Sequence, residues 1–371
     1  MSLSICTILG SGTMLGGAEV QLRNIQRELI NKGHKVFHIN INYNGTSVKK
    51  YSKSNNFKAY NIDINTNNPF WEVLSFIKIV HLFKTRLRNK VDVFYTRGYY
   101  FLLPLVFIKK SFGIPVITTA IGKNSCQTNF QNLFVTKTFK FSHLLSKVFL
   151  SMQLREIELL CLTADQSKLI QKNFDINAPL IRNGHPVSTS QKSHRKIITW
   201  IGNMRPVKRV NIFLDIVQNL KDLNCIFVLI GKNTDKRNGI LINKLSKNAG
   251  NFFYVGQQDN NFCNRLLAKT SLLVNTSKSE GFSNTFIQAW LRGTPTATLG
   301  INPDGLITEN KLGFVCNNRN NLLQSIRNFI VNPSKDNFSR KEIKDFADNN
   351  FSISKTVNHL LIKIRESINE H

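Results

Sequence analysis

Short apolar runs alternate with amphipathic stretches along most of this chain, and the alternation starts afresh halfway. "LSICTIL" (3–9) reads as a buried strand, and "AEVQLRNIQRELINKG" (18–33) as a helix with Val20, Ile25 and Leu29 near one face and Gly33 as its stop. "HKVFHININ" (34–42) is the next strand, followed by a basic amphipathic helix over 71–88. Then come strand "VDVFYT", a helix over 99–111, strand "IPVITTA", strand "ELLCLTA", helix "DQSKLIQKNF" and a short strand "PLIRN". After the polar run "STSQKSHRK" (188–196) the rhythm restarts with strand "IITWIG" and a helix over 207–221. Strands "CIFVLIG", "FFYVG", "SLLVNT" and "PTATL" follow, separated by helices near 237–248 and 261–269 and by the stretch "SEGFSNTFIQAWLRG". Helices over 318–331, 340–349 and 354–368 close the chain. Repeated βαβ units dictate parallel sheets with helices on both faces. The expectation is an α/β protein of two Rossmann-like doubly wound domains, residues 1–187 and 188–350. The segment 351–371 is expected to be a helix packing back toward the first domain. Ligands of such sheets sit beyond the carboxyl ends of the strands, which predicts a cleft between the domains.

With 371 residues, 42% of them hydrophobic, the chain is long enough for two cores and too apolar for disorder. Lys and Arg number 50 against 22 Asp and Glu, a net charge of +28. That excess suits three partner types: nucleic acid, an anionic membrane, or a phosphorylated small molecule. The six cysteines form no C-x-x-C pair and read as buried thiols of a reducing compartment. "MSLSICTILGSG" has no basic n-region, so no signal peptide is expected. The longest apolar stretch is broken by Lys109 and Lys110, so no membrane span is expected either.

Four stretches fall where strands end. "GSGTMLGGAE" (10–19) supplies glycines, Gly16 and Gly17 among them, that let backbone N–H groups approach an anion at the start of a helix. Its spacing is not G-x-G-x-x-G, and the second strand ends in Asn40 and Asn42 rather than an acid, which speaks against a dinucleotide cofactor. "IGNMRPVKRV" (201–210) places Arg205 and Lys208 at the loop and first turn of a helix, with Pro206 suited to that turn. Cations oppose a helix N-terminus, so their presence points to an anion such as a diphosphate. One of the adjoining pair Lys208 and Arg209 is expected to face solvent. In "SEGFSNTFIQAWLRG", Ser283 or Asn284 can cap the helix, while Phe286, Ile287 and Trp290 read as core. Glu280 and Gln288 could hold the hydroxyls of a sugar; the plainer alternative makes Glu280 a cap and Gln288 an exposed amide. "INPDGL" (301–306) reads as a structural turn around Asp304 and Gly305.

These stretches resemble the family 4 retaining glycosyltransferases, which have the GT-B fold of two facing Rossmann-like domains. Residues 279–300 resemble the family's Glu-x7-Glu region, with Gln288 in the second position. "GGAE" resembles its glycine loop, "IGNMRPVKR" its Gly-Arg-Leu-x-x-x-Lys segment, and "IRNG" its exit before the domain crossover. The resemblance implies that Glu280 holds donor-sugar hydroxyls, Gln288 the ribose, and Lys208 the donor diphosphate. Gly16 and Gly17 would lie near the donor phosphate. The backbone of Gly281, Phe282 and Ser283, with Asn284 and Thr285, would shape the sugar and phosphate pocket. The family's phosphate arginine falls at Asn203, so Arg205, two positions on, is the candidate replacement. Many members of the family place a histidine shortly after the strand equivalent to "IPVITTA"; here "TTAIGKNSC" has none, and Lys123 or Asn124 are candidates on the acceptor side.

The implied reaction moves a sugar from a nucleotide-diphosphate sugar to a hydroxyl of a glycan acceptor with retention. Glu280, Lys208 and Arg205 would be the catalytic residues. There is no D-x-D pair, so neither a metal nor any other cofactor is expected. Helix 71–88 sets Phe70, Trp71, Leu74 and Phe83 beside Lys78, Lys84, Arg86 and Arg88. Segment 137–150 sets Phe139, Phe141, Leu144 and Phe149 beside Lys137, Lys140 and Lys147. Such helices suit an anionic membrane surface. The expected acceptor is therefore a lipid-linked glycan of bacterial surface polysaccharide or lipopolysaccharide synthesis, and the expected location is cytoplasmic and peripheral to the membrane. A nucleotide-sugar epimerase on the same fold is the nearest alternative, but carboxylates for proton transfer are scarce near these motifs. A nucleic-acid-binding protein would need a basic stripe interleaved with aromatics, whereas the cations here are dispersed.

Overall fold

Parallel strands covered on both faces need apolar side chains in both directions, and the runs read above supply them. The structure, a computed structural model, describes residues 2–11, 17–45, 55–99, 101–121, 126, 143–187, 196–332 and 338–370. Two units are distinct: Met1–Gly184 with Ile353–His371, and His185–Ser352.

In the first unit the order is β1 (Ser4–Ser11), α1 (Gly17–Asn31), β2 (Lys35–Tyr43), β3 (Phe57–Ile64), α2 (Trp71–Leu82), β4 (Val93–Arg97), α3 (Leu102–Phe112), β5 (Val116–Thr119), α4 (His143–Arg155), β6 (Glu158–Leu160) and α5 (Ala164–Phe174). The sheet runs β3-β2-β1-β4-β5-β6, with Ile5 opposite Val36 on one side and Val93 on the other. Because side chains alternate along a strand, Cys6 and Ile8 face α2, α3 and α4, while Ile5 faces α1. The last helix, Ile353–Asn369, lies on that second face, where Val357, Leu360 and Ile364 pack with Leu22, Ile25 and Leu29.

The second unit repeats the plan. It holds β7 (Ile197–Ile201), α6 (Val210–Leu220), β8 (Ile226–Ile230), α7 (Lys236–Asn248), β9 (Phe252–Tyr254), α8 (Asn260–Lys269), β10 (Leu272–Asn275) and α9 (Asn284–Trp290). It continues through β11 (Thr296–Leu299), α10 (Leu306–Glu309), β12 (Gly313–Cys316), α11 (Arg319–Val331) and α12 (Arg340–Phe351). Its sheet order, β12-β11-β10-β7-β8-β9, reverses between β7 and β10, and such a reversal opens a crevice at the strand ends. Asp235, Asp259, Asn318 and Ser339 cap α7, α8, α11 and α12 through their side chains. No side chain caps α6, α9 or the short α10.

Several expectations are corrected here. Strands β3 and β12, both at sheet edges, are additions to the sequence reading. "PLIRN" contributes only a bridge between Leu180 and Cys161. The helix expected over 207–221 begins at Val210, and Pro206 instead opens a 3-10 turn, Pro206–Lys208. The helix expected over 71–88 is α2 followed by a π turn, Phe83–Leu87, whose Phe83 and Leu87 lie in the core. All six thiols are buried and free, as read.

Candidate active site

The crevice between β7 and β10 is built by the two loops that leave those strands. Gly202 follows β7 and its amide donates to the Ile230 carbonyl, while the Gly231 amide donates to Gly256. Gly231 has φ +144°, and a Cβ there would stand 1.8 Å from the Gly202 carbonyl oxygen. The exits of β7 and β8 therefore touch through bare backbone, and only glycine permits it.

Beyond Gly202, Arg205 is extended, Pro206–Lys208 make their turn, and Arg209 takes a left-handed φ of 48° at the start of α6. Arg209 does not face solvent, and neither does the whole of Lys208; both turn toward the loop after β10. The Arg209 guanidinium donates from Nε to the Thr276 carbonyl (2.7 Å) and from Nη2 to the Ser277 carbonyl (2.9 Å). The Lys278 amide donates to Val207 and the Thr276 hydroxyl to the Lys208 carbonyl, both at 2.8 Å. Trp200 Nε1 donates to the same Thr276 hydroxyl at 3.0 Å. These bonds fasten residues 207–209 to residues 276–278.

Glu280 is the focus of that arrangement. Its Oε1 accepts from Lys208 Nζ (2.5 Å), Ser277 Oγ (2.6 Å) and Asn275 Nδ2 (3.2 Å). Its Oε2 has no hydrogen bond among the described residues. Side-chain exposure is 11% for Glu280 and 22% for Lys208, so the pair is shielded but open to a ligand. Glu280 is thus no helix cap. Arg205 is exposed and its guanidinium has no hydrogen bond among the described residues; Asn203 is half-buried beside it in sequence.

Gly281 leads to Phe282, whose ring is buried edge-on to Trp290 (centroids 6.3 Å apart) and against Phe351 (5.4 Å). That anchor fixes the backbone of the turn. Ser283 stands at the N-cap of α9, but its hydroxyl pairs with Thr285 Oγ1 at 2.9 Å instead of capping. Asn284 begins the helix. Gln288 is buried, not exposed: Nε2 donates to Asn260 Oδ1 (2.6 Å) and Asn264 Oδ1 (3.0 Å) of α8, and Oε1 has no hydrogen bond among the described residues. No hydrogen bond joins Gln288 to Glu280.

Sequence reading missed Arg209, Asn275, Ser277 and, on α8, Asn260 and Asn264. It also missed Arg292, which donates to the Gln288 carbonyl at 2.7 Å and whose ionisation burial pulls down to about 10. A groove of about 810 Å³ borders Asn264 and Arg292 but not Glu280, Lys208 or Arg205. Asp304 and Gly305 form a turn with positive φ, as read. In the first unit Gly17 opens α1; Gly16, Lys123 and Asn124 lie outside the described residues. Among the described residues no group of three or more His, Cys, Asp and Glu is disposed to hold a metal ion.

Residues 195–332, which carry Lys208, Glu280 and Gln288, match the family described as glycosyl transferases group 1. No curated protein matches the chain. Among solved structures, the sucrose-phosphate synthase of Thermosynechococcus elongatus superposes with a TM-score of 0.77 at 14% identity, over 100% of both chains. The HepE protein of Anabaena, solved with UDP-glucose, gives 0.68 at 14% identity over 100% of both chains. WaaG, a glycosyltransferase involved in lipopolysaccharide biosynthesis, gives 0.69 at 13% identity over 97% of this chain and 99% of its own. At such identities the likeness is one of fold, and the fold is GT-B.

Proposed function

We propose that the protein is a family 4 retaining glycosyltransferase that moves a sugar from a nucleotide diphosphate to a hydroxyl of a lipid-linked glycan. The observation that carries the reading is the contact of Glu280 with Lys208 at the reversal of strand order. An ammonium has three donors. One serves Glu280, and the others can reach a phosphate, so Lys208 would link carboxylate and diphosphate. Arg205 would add a second cation from the same loop. Glu280, through Oε2, would hold the donor-sugar hydroxyls. Gln288 would offer Oε1 to the ribose, its amide nitrogen being held by α8.

The bond from the anomeric carbon to the phosphate oxygen breaks while a bond to the acceptor oxygen forms on the same face. The acceptor's proton passes to the departing phosphate. The main electrostatic task is the charge that grows on the diphosphate, and Lys208 and Arg205 supply the opposite charge. We assign the reaction no metal, since the chain has no D-x-D pair and brings cations to the phosphates instead. The solved complex of the Anabaena protein with UDP-glucose supports a nucleotide-sugar donor. The name of WaaG, a glycosyltransferase involved in lipopolysaccharide biosynthesis, supports a role in lipopolysaccharide or related surface polysaccharide synthesis; the place we assign to that work is the cytoplasmic face of the membrane.

The test is thermal unfolding with a panel of nucleotide sugars, followed by product analysis with the donor that binds. A true donor at a hundred times its Kd stabilises by about 2.7 kcal/mol, a shift of several degrees. Absence of any shift and of any transfer refutes the reading, and release of an epimerised sugar without acceptor identifies an epimerase instead. Gln288→Leu removes the ribose acceptor. It is expected to raise the nucleotide's Kd by up to about tenfold, the worth of one neutral hydrogen bond. Isothermal calorimetry with the free nucleotide checks this, and an unchanged Kd removes Gln288 from the ribose.

A further inference from the structure

Helices α2, α3 and α4 cover one face of the first sheet, and all three are apolar on the outside as well as the inside. Helix α2 buries Ile79 and Val80, yet Phe70, Val73, Leu74 and Ile77 open to solvent, Phe70 by 68% and Ile77 by 54%. Their spacing of three, one and three residues makes a single stripe along the helix start. Helix α3 buries Leu102, Leu105 and Ile108 and exposes Leu103 and Phe107; α4 buries Leu150 and Leu154 and exposes Phe149 and Met152. The Phe76 and Phe107 rings, 5.5 Å apart, join α2 to α3, so their stripes adjoin. Single exposed apolar residues are ordinary, but a layer of them marks a surface that something covers.

The cations say what covers it. Lys84 and Arg88 follow the α2 stripe, both over the Phe112 ring, Lys110 ends α3, and Arg155 ends α4. Three carboxylates are near among the described residues: Glu156 is paired with Lys110 at 2.7 Å, Asp63 beside Leu74 and Lys78 accepts from Asn42 at 2.7 Å, and Glu72 stands in the first turn of α2, where burial raises its pKa. A second copy of this chain would bring the same cations against themselves at a net charge of +28. An anionic bilayer offers both an apolar boundary for the stripes and phosphates for the cations. We infer that the outer face of α2, α3 and α4 is the surface by which this protein lies on an anionic membrane. The inference rests on the glycosyltransferase reading for its purpose, access to a lipid-linked acceptor, but not for its evidence. It also revises the expected membrane contact. Phe83 belongs to the core and Trp71 is packed against it, while α3, read from the sequence as a helix but given no membrane role, joins the surface. Residues 137–142 of the second expected segment lie outside the described residues.

The test is sedimentation of the full chain with vesicles of phosphatidylcholine, with and without phosphatidylglycerol. Binding is expected only with phosphatidylglycerol and is expected to weaken as salt rises. The double variant Ile77→Ser, Leu103→Ser is expected to lower the partition at least about tenfold, since two apolar side chains leave the acyl boundary. Both positions are exposed, so its melting temperature and its response to a nucleotide sugar should match the wild type. No binding by the wild type, or equal binding by the variant, overturns the inference. So does a wild-type dimer that the variant turns into a monomer, which would make the face a self-association surface. Membrane binding without any donor response leaves this surface standing and removes the enzyme reading instead.

Discussion

Glu280→Ala is expected to lower kcat/KM for sugar transfer by roughly a hundred- to a thousandfold, the range typical of removing one preorganised polar group from an active site. Three donors converge on a single oxygen of this carboxylate, so the side chain has one orientation and presents its other oxygen outward. Truncation releases Lys208, whose ammonium then loses the fixed position from which it would meet the proposed diphosphate. Glu280→Gln separates the two contributions. Its amide oxygen can still accept from Ser277 and Asn275, but the charge that holds Lys208 is gone, so an intermediate loss is expected. Folding should survive both changes at a cost of about 1.5–3 kcal/mol, the range for a hydrogen bond to a charged group. Steady-state kinetics beside a denaturation curve checks this. Wild-type kcat/KM in the alanine variant would remove Glu280 from the reaction altogether.

Gly231→Ala is expected to cost roughly 3–5 kcal/mol of stability, because a strained backbone and a backbone collision act together. The new methyl would lie 1.8 Å from the Gly202 carbonyl, and no flexible side chain can yield there. Relief requires β7 and β8 to part at the point where the loop of Lys208 begins, so nucleotide-sugar binding should fall along with stability. Gly250→Ala is the control: a Cβ there meets nothing within 4 Å, and no destabilisation is expected. Urea unfolding monitored by circular dichroism measures both variants. Equal midpoints for the two would mean that the contact between strand exits is not tight in solution.

The buried strands were legible in the sequence because parallel sheets need unbroken apolar runs, as "CIFVLIG" and "SLLVNT" show. Strand β3 escaped because it lies at an edge: "FKAYNIDI" mixes polar and apolar positions, and Lys58, Asn61 and Asp63 are exposed. Strand β12 has only four residues and opens with a glycine. The grouping of Phe83 with Phe70, Trp71 and Leu74 is a different error: Phe83 stands four residues after the buried Ile79, so the 3.6-residue wheel itself puts it on the inner face. At the site, Lys208 stood out because a cation opposes a helix N-terminus, and Glu280 because its stretch resembles the Glu-x7-Glu region. Arg209 did not, because its partners are carbonyls at positions 276 and 277, and carbonyls carry no signature in a sequence. Asn260 and Asn264 were illegible for a related reason: a helix wheel shows which face they share, but not which neighbour's amide will meet it.

The bonds from Arg209, Lys278 and Thr276 make one rigid piece of two stretches that are distant along the chain. Anyone recombining this protein with a relative to change its donor would have to transplant residues 203–209 and 275–283 together as a cassette. A graft of either stretch alone would leave the incoming side chains aimed at anchors that did not travel with them.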